Sequence, residues 1–593
     1  MNLDEGATPA LFPFLLQEVP AYARTKLIAY IGNKRALLPF LLPVFLELGA
    51  EVPVSSFLDP FAGSGAVSRL ARCLGWAVAA CDTEEYSRAV NAAWLGVSAD
   101  DLPSLFAAEG GLGVVLASLN DLHPEHGDAS PGCPVEPYIA RHYAPACTAD
   151  ADWRRERLFY TSENALFLDR ARCAIDRLRP PVGGGPAHAG GSRAREAERA
   201  ILIGLLVYEA ATHANTSGVF KAYHKGFGGH GHDALGRILT PMRLEPPLLW
   251  AGAPAEVLRE DAASFCAGRT ADVCYLDPPY NQHQYGSNYH LLNTVARWDR
   301  PPVSEERTAD GSLLSAAGIP PSWKDSRSAF CSKPLAAGAF RGLFAAVDAR
   351  TILLSYNTEG IVPTEELFDL LSDRADVSLR SLDYVKYRGG RQSVSSRVRN
   401  REMLFVARRR ESPGRSASAH PSAVHEMDLH KADLRLARAL GGPFDPAAFR
   451  ALCGGAETLT FTSGTVTIEL RSYACLLIED GSGDAAASLD RDGKSALADL
   501  LEPALLADNA AACQAAALLI GSGSSDRRLQ GLALGWLRKL AHRGYEKEFR
   551  ALSSRLGTAA RADPVRLSRL ANGLAKTEAL FERRMAGRRR YSP

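Results

Sequence analysis

The chain has no long apolar run, no paired-cysteine spacing and almost no net charge, and each absence removes a class of protein. Leu41 to Leu48 is broken by Pro43 and Glu47, and no span approaches the roughly 20 apolar residues of a membrane-crossing helix. The Met1 end lacks the basic stretch that opens a secretory signal. The eleven cysteines are scattered, odd in number and nowhere spaced Cys-x-x-Cys. That speaks against a disulfide framework and against zinc, and the expected setting is a reducing cytoplasm with no membrane. A net charge of +1 excludes a chain that is basic throughout and binds polyanions by bulk charge.

What is present is ordinary globular material. The chain has 593 residues, 46% hydrophobic and 23% charged, enough for two or three domains. Its most telling stretch is Asp277-Pro278-Pro279-Tyr280, which follows the apolar run Val273 to Leu276. This reads as the exposed C-terminal end of a buried strand, where open α/β sheets place their chemistry. Two prolines restrict the backbone around them, so a carboxylate, a carbonyl and a ring are held in fixed directions. That set suits a flat base bearing an amino group. Upstream, Ser55 to Gly65 reads as strand, then glycine-rich turn, then a helix from Ala66. Asp82 ends the next apolar run, Trp76 to Cys81. It lies roughly 20 residues past the glycines, where a Rossmann-like unit puts the carboxylate that meets ribose hydroxyls.

Together these residues resemble the S-adenosylmethionine-dependent DNA adenine-N6 methyltransferases of the Dam-like subgroup. Asp59-Pro60-Phe61-Ala62-Gly63-Ser64-Gly65 resembles the family's cofactor loop, and Asp277 to Tyr280 its catalytic tetrapeptide. Lys26 to Arg35 resembles its N-terminal Lys-Trp-x-Gly-Gly-Lys segment, with Tyr30 in place of Trp and Asn33 in place of the second Gly. Leu353 to Asn357 resembles a later strand end of the subgroup. The order of segments is the family's α arrangement, and the resemblance spans roughly residues 26 to 407. It implies a Rossmann-like α/β methyltransferase sheet. It also implies S-adenosylmethionine as cofactor, held by Tyr30, Lys34, Asp59, Phe61, Gly63, Gly65, Asp82 and Asp277, with Asp261 as a further candidate for the cofactor's adenine. No metal is implied.

The expected organisation is a lead-in (1–25), a methyltransferase core (26–95 and 253–410), an inserted target-recognition region (96–252), a linker (411–430), and an α+β, mostly helical accessory domain (431–593). Within the insert, His213 to His232 is rich in glycine, aromatics and basic groups. Asn215, Lys221 and Lys225 are its candidate DNA contacts; its four histidines lack the partners of a metal site. A second basic segment, with Arg388, Arg391 and Arg397, falls between two apparent strands, Val377 to Tyr384 and Glu402 to Val406, and is expected to meet the DNA backbone. Residues 301 to 335, rich in proline and serine, read as a mobile loop near the substrate. Leu459 to Leu470 alternates around a Ser463-Gly464 turn. Ala486 to Gly521 and Arg527 to Phe581 read as helical. A further basic cluster, Arg583 to Arg590, is compatible with a merely solvated face.

The expected chemistry follows from the target atom. The N6 lone pair of adenine is delocalised into the ring, so acceptors at Asp277 and Pro278 must draw off its hydrogens, with Tyr280 stacked on a base flipped out of the duplex. Cytosine C5 methylation would need a Pro-Cys nucleophile, which the chain lacks. The reading is therefore methylation of adenine N6 in double-stranded DNA. It would serve a restriction-modification or related defence system, with a cognate subunit as a possible partner. RNA adenine-N6 and DNA cytosine-N4 methylation are the alternatives; Asp rather than Ser at 277 favours adenine.

Overall fold

The computed structural model describes residues 18–28, 32–126, 136–177, 189–227, 232–357, 360–384, 400–410, 421–479 and 484–586. Tyr30, Arg388, Arg391 and Arg397 lie outside these residues, as do His230 and the first half of the expected 411–430 linker. The second half of that linker is helical, within Pro421–Gly441. The chain divides into two units. One holds residues 1–382 with 402–423, the other 383–401 with 424–593.

The first unit is built on seven strands: β1 (Ser56–Asp59), β2 (Ala77–Cys81), β3 (Glu256–Leu258), β4 (Thr270–Leu276), β5 (Asp348–Asn357), β6 (Ala375–Tyr384) and β7 (Asn400–Arg409). They lie in the order β3-β2-β1-β4-β5-β7-β6. β1 to β5 pair in parallel, and β7 runs antiparallel to β5, with Asn357 opposite Glu402. The central strands are apolar runs because helices cover both faces of a parallel sheet. Phe57, Val273, Cys274, Tyr275 and Leu276 are all buried. The chain leaves β1 toward one edge and β4 toward the other, so a crevice opens beyond their C-terminal ends.

Described residues between 96 and 252 share the sheet's apolar core. Phe159, Phe167, Leu202 and Leu206 belong to the same buried cluster as Phe57 and Val273. The Ala189–Thr212 helix packs against the Glu85–Trp94 helix through Gly204, where a Cβ would stand 2.3 Å from the Ala93 methyl. Two helices of this region are Ser162–Arg177 and Ala189–Thr212.

The second unit holds an antiparallel sheet of β8 (Thr458–Ser463), β9 (Val466–Tyr473) and β10 (Leu477–Ile478), followed by helices. The turn between β8 and β9 carries Gly464 at φ 58°, a conformation glycine adopts without cost. Aspartates start the later helices: Asp508 accepts from the amides of Ala510 and Ala511, and Asp526 from those of Arg528 and Leu529. Phe549 and Phe581 stack at 4.1 Å in the apolar cluster between these helices. Among the described residues no helix is long and apolar enough to cross a membrane.

Candidate active site

The crevice beyond β1 and β4 is a cavity of about 610 Å³. Two adjacent strand ends line it, through the turn after Asp59 and the Asp277-Pro278-Pro279-Tyr280 segment. Lys34, Phe61, Gly63, Asp82 and Asp261 line it as well.

The glycine turn is organised by buried carboxylates. Asp59 Oδ2 accepts from Ser68 Oγ at 2.6 Å and Oδ1 from the Phe61 amide at 3.3 Å. Burial pushes its carboxyl up to about 7. Asp82 Oδ2 accepts from the Gly63 amide and Oδ1 from the Glu84 amide, each at 2.9 Å. Burial also raises the Asp82 carboxyl. Asp82 thus ties the end of β2 to the glycine turn while lining the cavity. Gly65 serves differently from the expectation. It does not line the cavity; it opens the Ala66–Cys73 helix at φ 70°, and a Cβ there would stand 1.9 Å from Asn91 Oδ1. It is a packing glycine. Asp261 accepts from the amides of Ala263 and Ser264 as the cap of a short helix, and it borders the cavity from that position.

The N-terminal segment delivers a cation. Asn33 replaces the expected glycine without strain, because its φ is −57° and its side chain accepts from the Arg35 amide. The turn places Lys34, 6% exposed, with Nζ 3.1 Å from Asp277 Oδ1 and in an ion pair with Glu402. Burial works against the Lys34 ammonium, but the two carboxylates outweigh it and hold its pKa well above the ordinary value. Burial pushes the Asp277 carboxyl up to about 7; Lys34 pulls it down and Glu402 pushes it further up. Lys34 Nζ also lies 5.6 Å from the centre of the Tyr280 ring. That ring meets Tyr356 edge-on at 6.1 Å, and the Tyr280 carbonyl accepts from the Ile361 amide at 2.8 Å. The aromatic ring after the prolines is therefore fixed by both its own backbone and its neighbours.

Several residues of the site were not foreseen. Glu402, 3% exposed, also accepts from Ser355 Oγ at 2.9 Å and Asn357 Nδ2 at 3.3 Å. Its position at the start of an apolar strand gave no signal; only the pairing with Asn357 brings it inside. Glu84 lines the cavity, buried, with its carboxyl pushed up to about 7 by burial, and Asn293 donates to it. The 301–335 segment, expected to be mobile, is pinned where it meets the cavity. Ser328 N donates to Gln284 Oε1 at 2.9 Å, and Gln284 Nε2 donates back to Ser328 O at 3.2 Å. Phe330 meets Phe61 edge-on at 5.5 Å.

The 213–232 loop separates into buried and exposed parts. Asn215 is buried, and its Nδ2 donates to the carbonyls of Leu158, His224 and Gly226. It holds the loop together rather than facing outward. His213 is buried against Glu209, and burial lowers its pKa to about 4, so it is neutral. Lys221 and Lys225 are exposed. Lys225 Nζ lies 4.3 Å from the Trp153 ring centre, and Arg154 stacks on the same ring.

A mixed sheet with one late antiparallel strand, and a site at the ends of its two central strands, is consistent with an α/β methyltransferase fold. Residues 30–109 and 193–310 match the family model of the D12 class N6 adenine-specific DNA methyltransferases. The chain is an adenine-specific DNA methyltransferase, of a family that uses S-adenosylmethionine. Over 361 residues it is 28% identical to the type II methyltransferase M.NlaIII of Neisseria lactamica, covering 60% of this chain and 92% of that protein. It is 25% identical over 381 residues to M.CviAII of Paramecium bursaria Chlorella virus 1, covering 64% and 97%. With the modification methylase StsI of Streptococcus sanguinis it shares 27% over 388 residues, 64% of this chain but only 52% of that one. No solved structure matches the chain. The alternatives of RNA and of cytosine N4 find no support in these matches.

Proposed function

We propose that this protein methylates adenine N6 at a specific sequence in double-stranded DNA, as the modification arm of a restriction-modification system. Among the relatives named above, two are named type II methyltransferases and one a modification methylase, and the single observation that carries the site assignment is the cavity shared by Asp277–Tyr280 and the Asp59–Gly63 turn.

The cavity suits S-adenosylmethionine by its donor set. The cofactor's amino group, ribose hydroxyls and adenine amino group all donate hydrogen bonds, and Asp82, Glu84, Asp261 and Asp277 line the cavity as acceptors. Phe61 and Phe330 supply flat apolar wall. Bound there, the cofactor provides an electrophilic methyl group on a positively charged sulfur. Tyr30, outside the described residues, is proposed as a further cofactor neighbour.

The chain's own residues act on the base. Asp277 Oδ1 is occupied by Lys34, leaving Oδ2 to accept one N6 hydrogen, with the Pro278 carbonyl accepting the other. This localises the nitrogen lone pair for a direct in-line displacement, with no covalent enzyme intermediate. Tyr280, braced by Tyr356, stacks on the flipped base. Fixed acceptors in a water-poor site need no reorganisation as charge develops. Lys221 and Lys225, and Arg388, Arg391 and Arg397 in the segment between β6 and β7, are proposed to meet the DNA backbone.

The test is to express the protein in a host lacking DNA methylation and read modified bases by single-molecule sequencing. N6-methyladenine at one fixed motif supports the proposal. Asp277→Ala should lower the rate at least ~10²-fold while retaining the fold. Unmodified DNA with methylated RNA, or an active Asp277→Ala enzyme, would refute it.

A further inference from the structure

The chain's near-zero net charge hides a segregation. Residues 527–586 hold 14 Lys and Arg against 5 Asp and Glu, while the remainder holds 54 against 62. A DNA-modifying chain that is net acidic elsewhere concentrates its positive charge in three helices of the second unit, Arg527–Lys539, Glu546–Ala562 and Ser568–Ala586.

The charge is also sorted by face. The first and third of these helices run side by side in the same direction. Gln530 Nε2 donates to the Arg566 carbonyl at 3.2 Å, Arg538 Nε to Thr577 Oγ1 at 3.3 Å, and Arg584 Nη1 to the Ala541 carbonyl at 2.9 Å. Arg527, Arg538 and Lys539 are exposed on the first helix. Arg569, Lys576 and Arg583 are exposed on the third, seven residues apart and therefore on one side. Arg569 reaches toward the first helix, with Nη2 3.9 Å from where a Cβ on Gly531 would stand. The carboxylates of the third helix turn away: Glu578 accepts from Ser553 and Glu582 from Arg550, both on the middle helix. Asp526 is engaged with the helix cap and with Tyr473. Between the cations the surface is low. Gly531 and Gly535 lie one turn apart, and a Cβ at Gly535 would meet nothing within 4 Å.

We infer that the face shared by the Arg527–Lys539 and Ser568–Ala586 helices is a binding surface for the phosphate backbone of duplex DNA. Arg569, Lys576 and Arg583 span roughly 20 Å along the helix axis, about six base steps of B-DNA at 3.4 Å. The glycines let a phosphodiester approach the helix closely. Exposed cations beside glycines suit phosphates rather than base edges, so the surface supplies affinity independent of sequence. The inference rests on the reading of the protein as a DNA methyltransferase, and its test is read on binding alone.

In the full-length protein, Lys539, Arg569, Lys576 and Arg583 are replaced together by Gln, and duplex binding is titrated from low to high salt. The slope of log K against log salt should fall in magnitude by about 3 to 4, at ~0.9 for each phosphate no longer neutralised. Affinity at roughly 0.1 M salt should fall at least ~30-fold, with kcat at saturating DNA unchanged. A companion protein with Arg569→Lys and Arg583→Lys should bind as the parent does, which separates charge from packing. An unchanged slope in the Gln protein overturns the inference. So does loss of single-stranded RNA binding with duplex binding intact. Asp277→Ala should bind DNA with the full slope but fail in transfer, so failure of the catalytic assignment is distinguishable from failure of this surface.

Discussion

Lys34 Nζ lies 3.1 Å from Asp277 Oδ1, both side chains largely enclosed, and the same ammonium pairs with Glu402. One buried cation thus serves two carboxylates. Burial and the Glu402 charge push Asp277 up to about 7 against the pull of Lys34. Asp277 accepts N6 hydrogens best when ionised, so activity should rise with pH through about 7. Glu402→Gln removes the negative charge that raises Asp277 and leaves Lys34 to Asp277 alone. Both changes lower the Asp277 pKa. The acid limb of kcat/KM for the cofactor, which reports free-enzyme groups, should therefore move to lower pH. A limb that stays in place would show that Glu402 does not tune Asp277.

Removing the cation has the opposite sign. Lys34→Met leaves Asp277 and Glu402 facing each other without a counter-charge, and losing one partner of a buried pair costs about 3–5 kcal/mol. Part of that cost is avoided by protonating Asp277, the form least able to accept an N6 hydrogen. Thermal stability should drop, and the acid limb should move to higher pH. Lys34→Arg should recover little, because a planar guanidinium cannot take the place of a compact ammonium between two acceptors.

Much of this site is legible in the sequence because its chemistry lies at strand ends. Asp59, Asp82 and Asp277 each follow an apolar run, and the glycine turn announces the crevice. Glu402 is not legible, since nothing local distinguishes a carboxylate entering an antiparallel strand from one left in solvent. It becomes internal only through the pairing of β5 with β7. Gly65 and Asn215 show the converse limit. Each stands inside a motif that suggests a ligand, yet each is consumed by packing or by backbone carbonyls. Residues 301–335 read as loose from their prolines and serines; the amide of Gln284, distant in sequence, holds them at Ser328.

Gly65→Ala tests the packing assignment. Its left-handed backbone costs a side-chain-bearing residue about 1–2 kcal/mol, and the new methyl overlaps Asn91. A total loss of about 2–4 kcal/mol is expected, measured by denaturant unfolding of the cofactor-free protein. If Gly65 acted through the ligand instead, cofactor affinity would fall with stability unchanged.

The 213–232 loop predicts a contrast between neighbours. Asn215→Ala removes the amide that three carbonyls share and should destabilise the protein by about 2–4 kcal/mol. Lys225 rests on the Trp153 ring at the surface, so Lys225→Ala should hold stability within ~0.5 kcal/mol. DNA binding should weaken, with the salt slope reduced by about 1. Comparing both variants by unfolding and by salt titration separates scaffold from surface. Equal effects on both readouts would contradict the division.

Gln284 makes the last test, because it borders the cavity without being one of the groups proposed to meet the base. Its amide exchanges two hydrogen bonds with the Ser328 backbone and so holds the turn that brings Phe330 against Phe61. Gln284→Ala removes both bonds, at about 1 kcal/mol each, from a segment that is also anchored by the Cys331 thiol on the His283 carbonyl. The wall should loosen before the fold does. Equilibrium cofactor binding should weaken about 10-fold, a loss of ~1.4 kcal/mol, while the unfolding midpoint shifts little. The rate with both substrates saturating should hold, since Asp277, Lys34 and Tyr280 keep their own partners. A fall in the saturated rate with cofactor affinity intact would mean that the Ser326–Phe330 wall acts on the base rather than on the cofactor.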